Sequence, residues 1–176
     1  MEIKADLVKQ LRDLTGSGMM EAKQALVEAS GDYDKAVEIL KARGASIAAK
    51  KAERVAANGV VASYIHAGSK IGVLVEVMVE TDFVARDERF VAFARDLAVH
   101  IAGMNPKYVL EADVPADELS AQDDKQTYLK EAVLLNQSFV KDSSKTVEDL
   151  LNEQIAFFKE NIKIGRFVRM ELGSVG

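Results

Sequence analysis

The sequence predicts an α+β fold: an N-terminal three-helix module, a helical linker, and a core domain in which a three-stranded antiparallel sheet packs with helices. Three observations predict it. Apolar residues recur at helical spacing three times within the first 44 residues, and Gly-containing turns separate the three runs. Two strand-like runs, 60–66 and 71–79, flank Ala67-Gly68-Ser69-Lys70 as in a hairpin. A last run bearing Ile162, Ile164, Val168, Met170 and Leu172 at alternate positions supplies the third strand, which pairs most economically with that hairpin.

Ile3, Leu7, Val8, Leu11 and Leu14 give the first helix its apolar stripe, and the helix is expected to end before Thr15-Gly16-Ser17-Gly18. Ala22, Ala25, Leu26 and Ala29 mark the second, which Ser30-Gly31 stops. Asp32 is a plausible N-cap for the third, with Tyr33, Ala36, Val37 and Leu40 on its apolar face and Arg43-Gly44 as its stop signal. Residues 45–58, rich in Ala with Lys50, Lys51 and Arg54, favour helix but offer little to bury, which is the composition of a helical linker. The expected division is therefore a three-helix module at 1–44, the linker at 45–58 and an α+β core domain at 59–176. In that core Ile71, Val73, Val75, Val77 and Val79 share the inner face of a strand. Phe90, Phe93, Ala94, Leu97 and Ile101 mark a long helix ended by Asn105-Pro106. Residues 107–125 are acidic and weakly patterned. A helix resumes around Tyr128 to Leu135, and Thr146 with Asp149 resembles a capping box ahead of Val147, Leu150, Leu151, Ile155 and Phe158.

Composition narrows the chemistry. With no cysteine there is no disulfide, thiolate site or Cys nucleophile, and two separated histidines, His66 and His100, leave little for a metal cluster. Both histidines read as hydrogen-bonded structural residues. A net charge of −5 argues against a general nucleic-acid binder, so a protein partner or small ligand is favoured. No apolar run reaches the roughly 18–20 residues of a spanning helix and no targeting segment opens the chain, so a cytoplasmic protein beginning at Met1 is expected. Thr15-Gly16-Ser17-Gly18 lacks the span and the terminal Gly-Lys-Ser/Thr of a phosphate loop and reads as an interhelical turn. Adjacent acids such as Asp87-Glu88, Asp117-Glu118 and Asp123-Asp124 read as surface charge. No catalytic residue, metal site or cofactor is expected.

The stretch Glu80-Thr81-Asp82-Phe83-Val84-Ala85-Arg86 stands at a strand-to-helix corner, where proteins place groups that act on others. Pattern alone favours a structural role: Phe83 as a core anchor of the helix entry, Asp82 as a cap or dipole-complementing acid. Met19 and Met20 fit either core filling or adaptable protein contact.

Several separated stretches, taken together, resemble the elongation factor Ts family of guanine nucleotide exchange factors. They are Leu7-Val8-Lys9 to Leu11-Arg12, Thr15-Gly16-Ser17-Gly18-Met19-Met20 with Ala25-Leu26, Ala48-Ala49-Lys50-Lys51-Ala52, Tyr64-Ile65-His66, Gly72-Val73-Leu74-Val75-Glu76, Gln137-Ser138-Phe139-Val140-Lys141-Asp142, Ser144-Lys145-Thr146-Val147, Glu160-Asn161-Ile162 and Arg166-Phe167-Val168-Arg169. Glu80-Thr81-Asp82-Phe83-Val84-Ala85-Arg86 is the most specific of all. The resemblance implies a ubiquitin-associated-like N-terminal module and a short form of the factor with a single core module. The chain is shorter than the family's usual pattern between Ser120 and Glu131, with Ser138 where Pro is usual and Gly165 where Arg is frequent. By the same resemblance the partner is elongation factor Tu with GDP bound or nucleotide-free. Arg12, Met19 and Met20 grip its nucleotide-binding domain, and Thr81, Asp82, Phe83 and Val84 form a wedge that disturbs its Mg2+ and phosphate site. It also implies a homodimer, and neither a membrane nor direct nucleic-acid contact. The alternative is a protein of the same fold that binds the ribosome or the elongation factor without promoting exchange.

Overall fold

A computed structural model describes residues 3–174. Its N-terminal helices are α1 (Ala5–Thr15), α2 (Met19–Glu28) and α3 (Tyr33–Lys51). The hairpin strands β1 (Asn58–Ile65) and β2 (Ile71–Val79) lead into α4 (Asp82–Ala85) and α5 (Glu88–Met104). Short helices α6 (Ala116–Ser120) and α7 (Lys125–Ala132) precede a small hairpin, β3 (Ser138–Phe139) and β4 (Asp142–Thr146). Helix α8 (Val147–Phe158) and strand β5 (Ile162–Glu171) close the chain. This is the α+β architecture read from the sequence. The chain forms two compact units, one holding the chain up to Arg54 together with Asp149–Asn161, the other holding Val55–Glu148 and the chain from Ile162 onward.

The first unit is built around Val8, Leu11, Ala22, Ala25, Leu26 and Ala36, with Leu7, Tyr33, Val37 and Leu40 packed on them. Alanines on α2 let α1 and α3 approach, while Leu11 and Leu26 supply the bulk; each fully buried leucine contributes roughly 1.5–3 kcal/mol. Gly16 ends α1 in the left-handed conformation (φ 66°), donating its N–H to the Arg12 carbonyl. The Thr15 hydroxyl donates to the Leu11 carbonyl at 2.7 Å, so Thr15 is the last turn of α1 rather than the first residue beyond it. Asp32 caps α3 as expected, its carboxylate accepting from the Lys35 N–H at 3.1 Å.

The expected stop at Arg43-Gly44 is not used. Helix α3 runs through Gly44 to Lys51 and absorbs most of the stretch read as a separate linker. Ala45, Ala48 and Ala49 are strong helix formers, so the hydrogen-bond ladder continues past a single glycine at modest cost. Gly44 is buried where α8 passes: a Cβ on it would lie 3.7 Å from the Asn152 carbonyl oxygen. Lys41 Nζ sits 3.4 Å from Asp149 Oδ2, and Lys159 Nζ 3.4 Å from Glu21 Oε1, so α8 and its following turn are joined to both α3 and α2.

In the second unit the sheet has the order β1-β2-β5, antiparallel throughout. Val73, Val75, Val77 and Val79 are buried beneath α5, whose Phe90, Phe93, Leu97 and Ile101 are also buried. The third strand departs from the expected alternation. Val77 pairs with Ile164 but Val75 pairs with Phe167, so two residues of β5 oppose Glu76 and the strand bulges. Beyond the bulge the faces exchange: Phe167 and Arg169 turn to the inner side, and Val168 and Met170, expected beside Ile162 and Ile164, lie opposite Leu74 and Gly72 on the outer face. The hairpin β3–β4 was not expected, because its strands are too short for an alternation to register.

Candidate functional site: a braced strand-to-helix corner

Strand β2 ends at Val79, and α4 begins three residues later. Thr81 is the N-cap, its hydroxyl oxygen accepting from the Val84 N–H at 3.3 Å, and Asp82 lies in the first helical turn, where the positive end of the helix favours a carboxylate. Directly after, Asp87 caps α5 by accepting from the Arg89 N–H at 2.8 Å. Asn58, at the start of β1, donates its side-chain amide to the Glu80 carbonyl at 2.7 Å and ties the corner to the hairpin behind it. Next to Asn58, Gly59 has φ 152° and approaches β2 so closely that a Cβ would lie 2.1 Å from the Val77 carbonyl oxygen. Only glycine permits that approach.

On this support Phe83 is 83% exposed, which overturns the pattern-based expectation of a core anchor. The anchor is Val84, 6% exposed, with Ala85 beside it. Phe83 therefore points away from the core on a turn whose two neighbours fix its direction. Asp82 is exposed and forms an i,i+4 pair with Arg86, Oδ2 to Nη2 at 3.0 Å. Of the predicted site residues, Thr81, Asp82, Phe83 and Val84 thus share one element, with Thr81 and Val84 holding it and Asp82 and Phe83 presented outward.

Arg12, Met19 and Met20 belong to the first unit. Met19 and Met20 open α2 and are exposed, Met20 by 75%, so neither fills the core. Glu21 fixes this turn by accepting from the Gly18 N–H at 3.1 Å, and that bond, with Lys159 nearby, holds its carboxyl below the usual range. Arg12, half-buried near the end of α1, reaches Asp13 at 3.1 Å.

Both histidines are hydrogen-bonded. His66 Nδ1 meets the Tyr64 hydroxyl at 3.1 Å on the surface. His100 is fully buried: the Val140 N–H donates to its Nδ1 at 3.1 Å, so Nε2 carries the proton and donates to Gln137 Oε1 at 2.9 Å. Gln137 in turn donates to the Glu131 carbonyl at 2.6 Å. Burial holds the His100 pKa below its ordinary value, the Gln137 bond opposing in part. Sequence reasoning missed Asn58 as a brace, reading Asn58-Gly59 only as the end of the linker, and missed Gln137; neither carries a local signal, since each acts on a residue far away in the chain.

Fold and corner together define an α+β protein that presents an aromatic ring and a carboxylate to solvent from a capped turn. The family model for elongation factor Ts matches residues 2–127 and 124–174. Elongation factor Ts of Acetivibrio thermocellus is 46% identical over 194 positions, covering 97% of this chain and 90% of that protein. Those of Pseudothermotoga lettingae (44%, covering 98% and 99%) and Geobacter metallireducens (47%, covering 98% and 91%) are similarly close. The chain belongs to the elongation factor Ts family. The alignments extend over 194 to 198 positions against 176 residues, so these relatives carry residues without counterpart here, and the two matched stretches meet at the start of α7.

Proposed function

We propose that this protein is a guanine nucleotide exchange factor that binds elongation factor Tu with GDP and promotes GDP release. The observation that carries the reading is Phe83, exposed on a corner whose two ends are capped, in a chain of this family. Burying the ring in the partner contributes roughly 1.5–3 kcal/mol, available to offset distortion there. The partner holds its nucleotide partly through Mg2+, an ion that demands near-ideal octahedral geometry, so a small displacement by Phe83 and the Asp82 carboxylate weakens it. Thr81 and Val84 keep the wedge from yielding. Arg12, Met19 and Met20 supply holding contacts, thioethers adapting to the partner's surface. Linkage requires that if this protein weakens GDP, GDP weakens this protein's binding by the same factor, and entering GTP likewise releases it. No bond is made or broken on this chain.

Release of labelled GDP from elongation factor Tu tests the reading. The wild-type protein accelerates release, and Phe83→Ala retains the fold and most of the binding but loses most of the acceleration. Unchanged release at saturating protein overturns it and leaves a binding protein without exchange activity.

We infer further that the working form is a homodimer in the cytoplasm. Ile65, Leu74, Val168 and Met170, with Val61 beyond Ser63, are exposed on the outer face of the sheet, a grouping of apolar side chains of the kind monomers rarely leave in water. A second copy offers the same surface under two-fold symmetry.

A further inference from the structure

Asn161 is 2% exposed, and its side-chain amide donates to two backbone carbonyls beyond the end of α3, Ala52 at 3.3 Å and Arg54 at 2.7 Å. The chain leaves the first unit after Arg54 and again after Asn161, so a single side chain ties together two of the points at which it passes into the second unit. The two acceptors fix the orientation of the amide: only its NH2 group, with two hydrogens, serves two carbonyls at once. Local helix capping does not require this. Asn161 is more than a hundred residues from Arg54 in sequence, and nothing in the sequence of α3 calls for a distant amide at its end.

We propose that Asn161 is a positioning residue for nucleotide exchange, a clasp that keeps the two passages of the chain together. The inference rests on the exchange reading above, in which Arg12, Met19 and Met20 in the first unit hold the partner and Phe83 in the second perturbs it. Two binding elements on one chain reinforce each other through the effective concentration that their connection imposes. With the clasp intact, the corner is delivered whenever the module has bound. With it open, the module still binds but the corner arrives less often.

The test uses the full-length protein with Asn161→Ala, and a second variant with two glycines inserted between Glu53 and Arg54, which moves the Arg54 carbonyl away from Asn161 while leaving that side chain in place. Insertion at an exposed position such as this is thermodynamically mild. For each, circular dichroism checks the fold, trypsin cleavage after Arg54 reports the joint, and titration against GDP-bound elongation factor Tu gives affinity and the maximal rate of GDP release. The expected result is faster cleavage after Arg54 in Asn161→Ala, and in both variants a maximal exchange rate lowered roughly three- to tenfold, with affinity changed much less. If Asn161→Ala does not fold, the insertion variant decides. A folded variant with an unchanged maximal rate overturns the proposal, as does an equal fall of affinity and rate. Failure of the wild-type protein to accelerate GDP release overturns the exchange reading instead, and unchanged trypsin cleavage in Asn161→Ala then overturns the clasp itself.

Discussion

Phe83 and His100 are opposite uses of a ring. Phe83 contributes little to the fold, being exposed, so Phe83→Ala changes stability by no more than about 0.5 kcal/mol in urea unfolding, whatever it does to exchange. His100 is buried with both ring nitrogens engaged. His100→Leu leaves the Val140 N–H and Gln137 Oε1 without their partner and costs about 2–4 kcal/mol. The native state holds the imidazole neutral below its ordinary pKa of 6.5, whereas the unfolded chain takes up a proton near that value. Stability from this site is therefore full above the unfolded value and declines as pH falls through it toward the lower folded value. Unfolding of wild type and His100→Leu across that range checks this: the gap between them narrows on acidification.

At the scale of elements, α3 and β5 carry the two departures from local expectation, for different reasons. In α3 a glycine with ordinary helical geometry was read as a stop; its neighbours are good helix formers and the ladder overrides it. Because a Cβ on Gly44 would meet Asn152 only at ordinary van der Waals distance, Gly44→Ala stabilises the protein by roughly 0.5–1 kcal/mol in urea unfolding. A destabilised variant would mean that the α3–α8 approach is tighter than its atoms indicate. In β5 the alternation was read correctly up to Ile164, and the bulge opposite Glu76 then inverted it. A bulge inserts one residue, and with a period of two, one residue exchanges every later side chain between faces. That inversion puts Val168 and Met170 outside and adds them to the apolar surface beside Leu74. Leu74→Lys, at the centre of that surface, converts a dimer to a monomer in a solution mass measurement while leaving the fold intact.

For the molecule as a whole, the region between α5 and β3, where the two matched stretches of the family model meet, is held by a polar knot. Glu118 accepts from the hydroxyls of Tyr108, at 2.5 Å, and Tyr128, and from Lys107 Nζ at 3.2 Å. These bonds pull the Glu118 carboxyl from 4.5 down to about 2, and the same bonds push both phenols up to about 12. A lowered carboxylate pKa contributes stability above the unfolded value and loses it as pH falls toward the folded one; raised phenol values contribute stability that is full below their unfolded value of 10.0 and is lost as pH rises toward about 12. In a spectrophotometric titration two of the four tyrosines should ionise late, and Glu118→Gln should return both toward the ordinary range. Late ionisation persisting in that variant would place the cause elsewhere.

The sequence by itself determined the α+β class, the three N-terminal helices, the β1–β2 hairpin, α5, α8 and the position of the corner, because periodicity and capping are local and survive in a string of letters. Family membership followed from motifs in order along the chain. The exposure of Phe83 was not decided there: an aromatic at a helix entry has the same letter whether it faces core or water, and only the burial of Val84 and Ala85 on the inner side of α4 turned it outward. Nor were the brace from Asn58 to Glu80, the His100–Gln137 network or the reach of Asn161 to Arg54, each of which joins residues 22 or more positions apart. Contacts of that range are made by the packing of whole elements, and tertiary structure alone decides them.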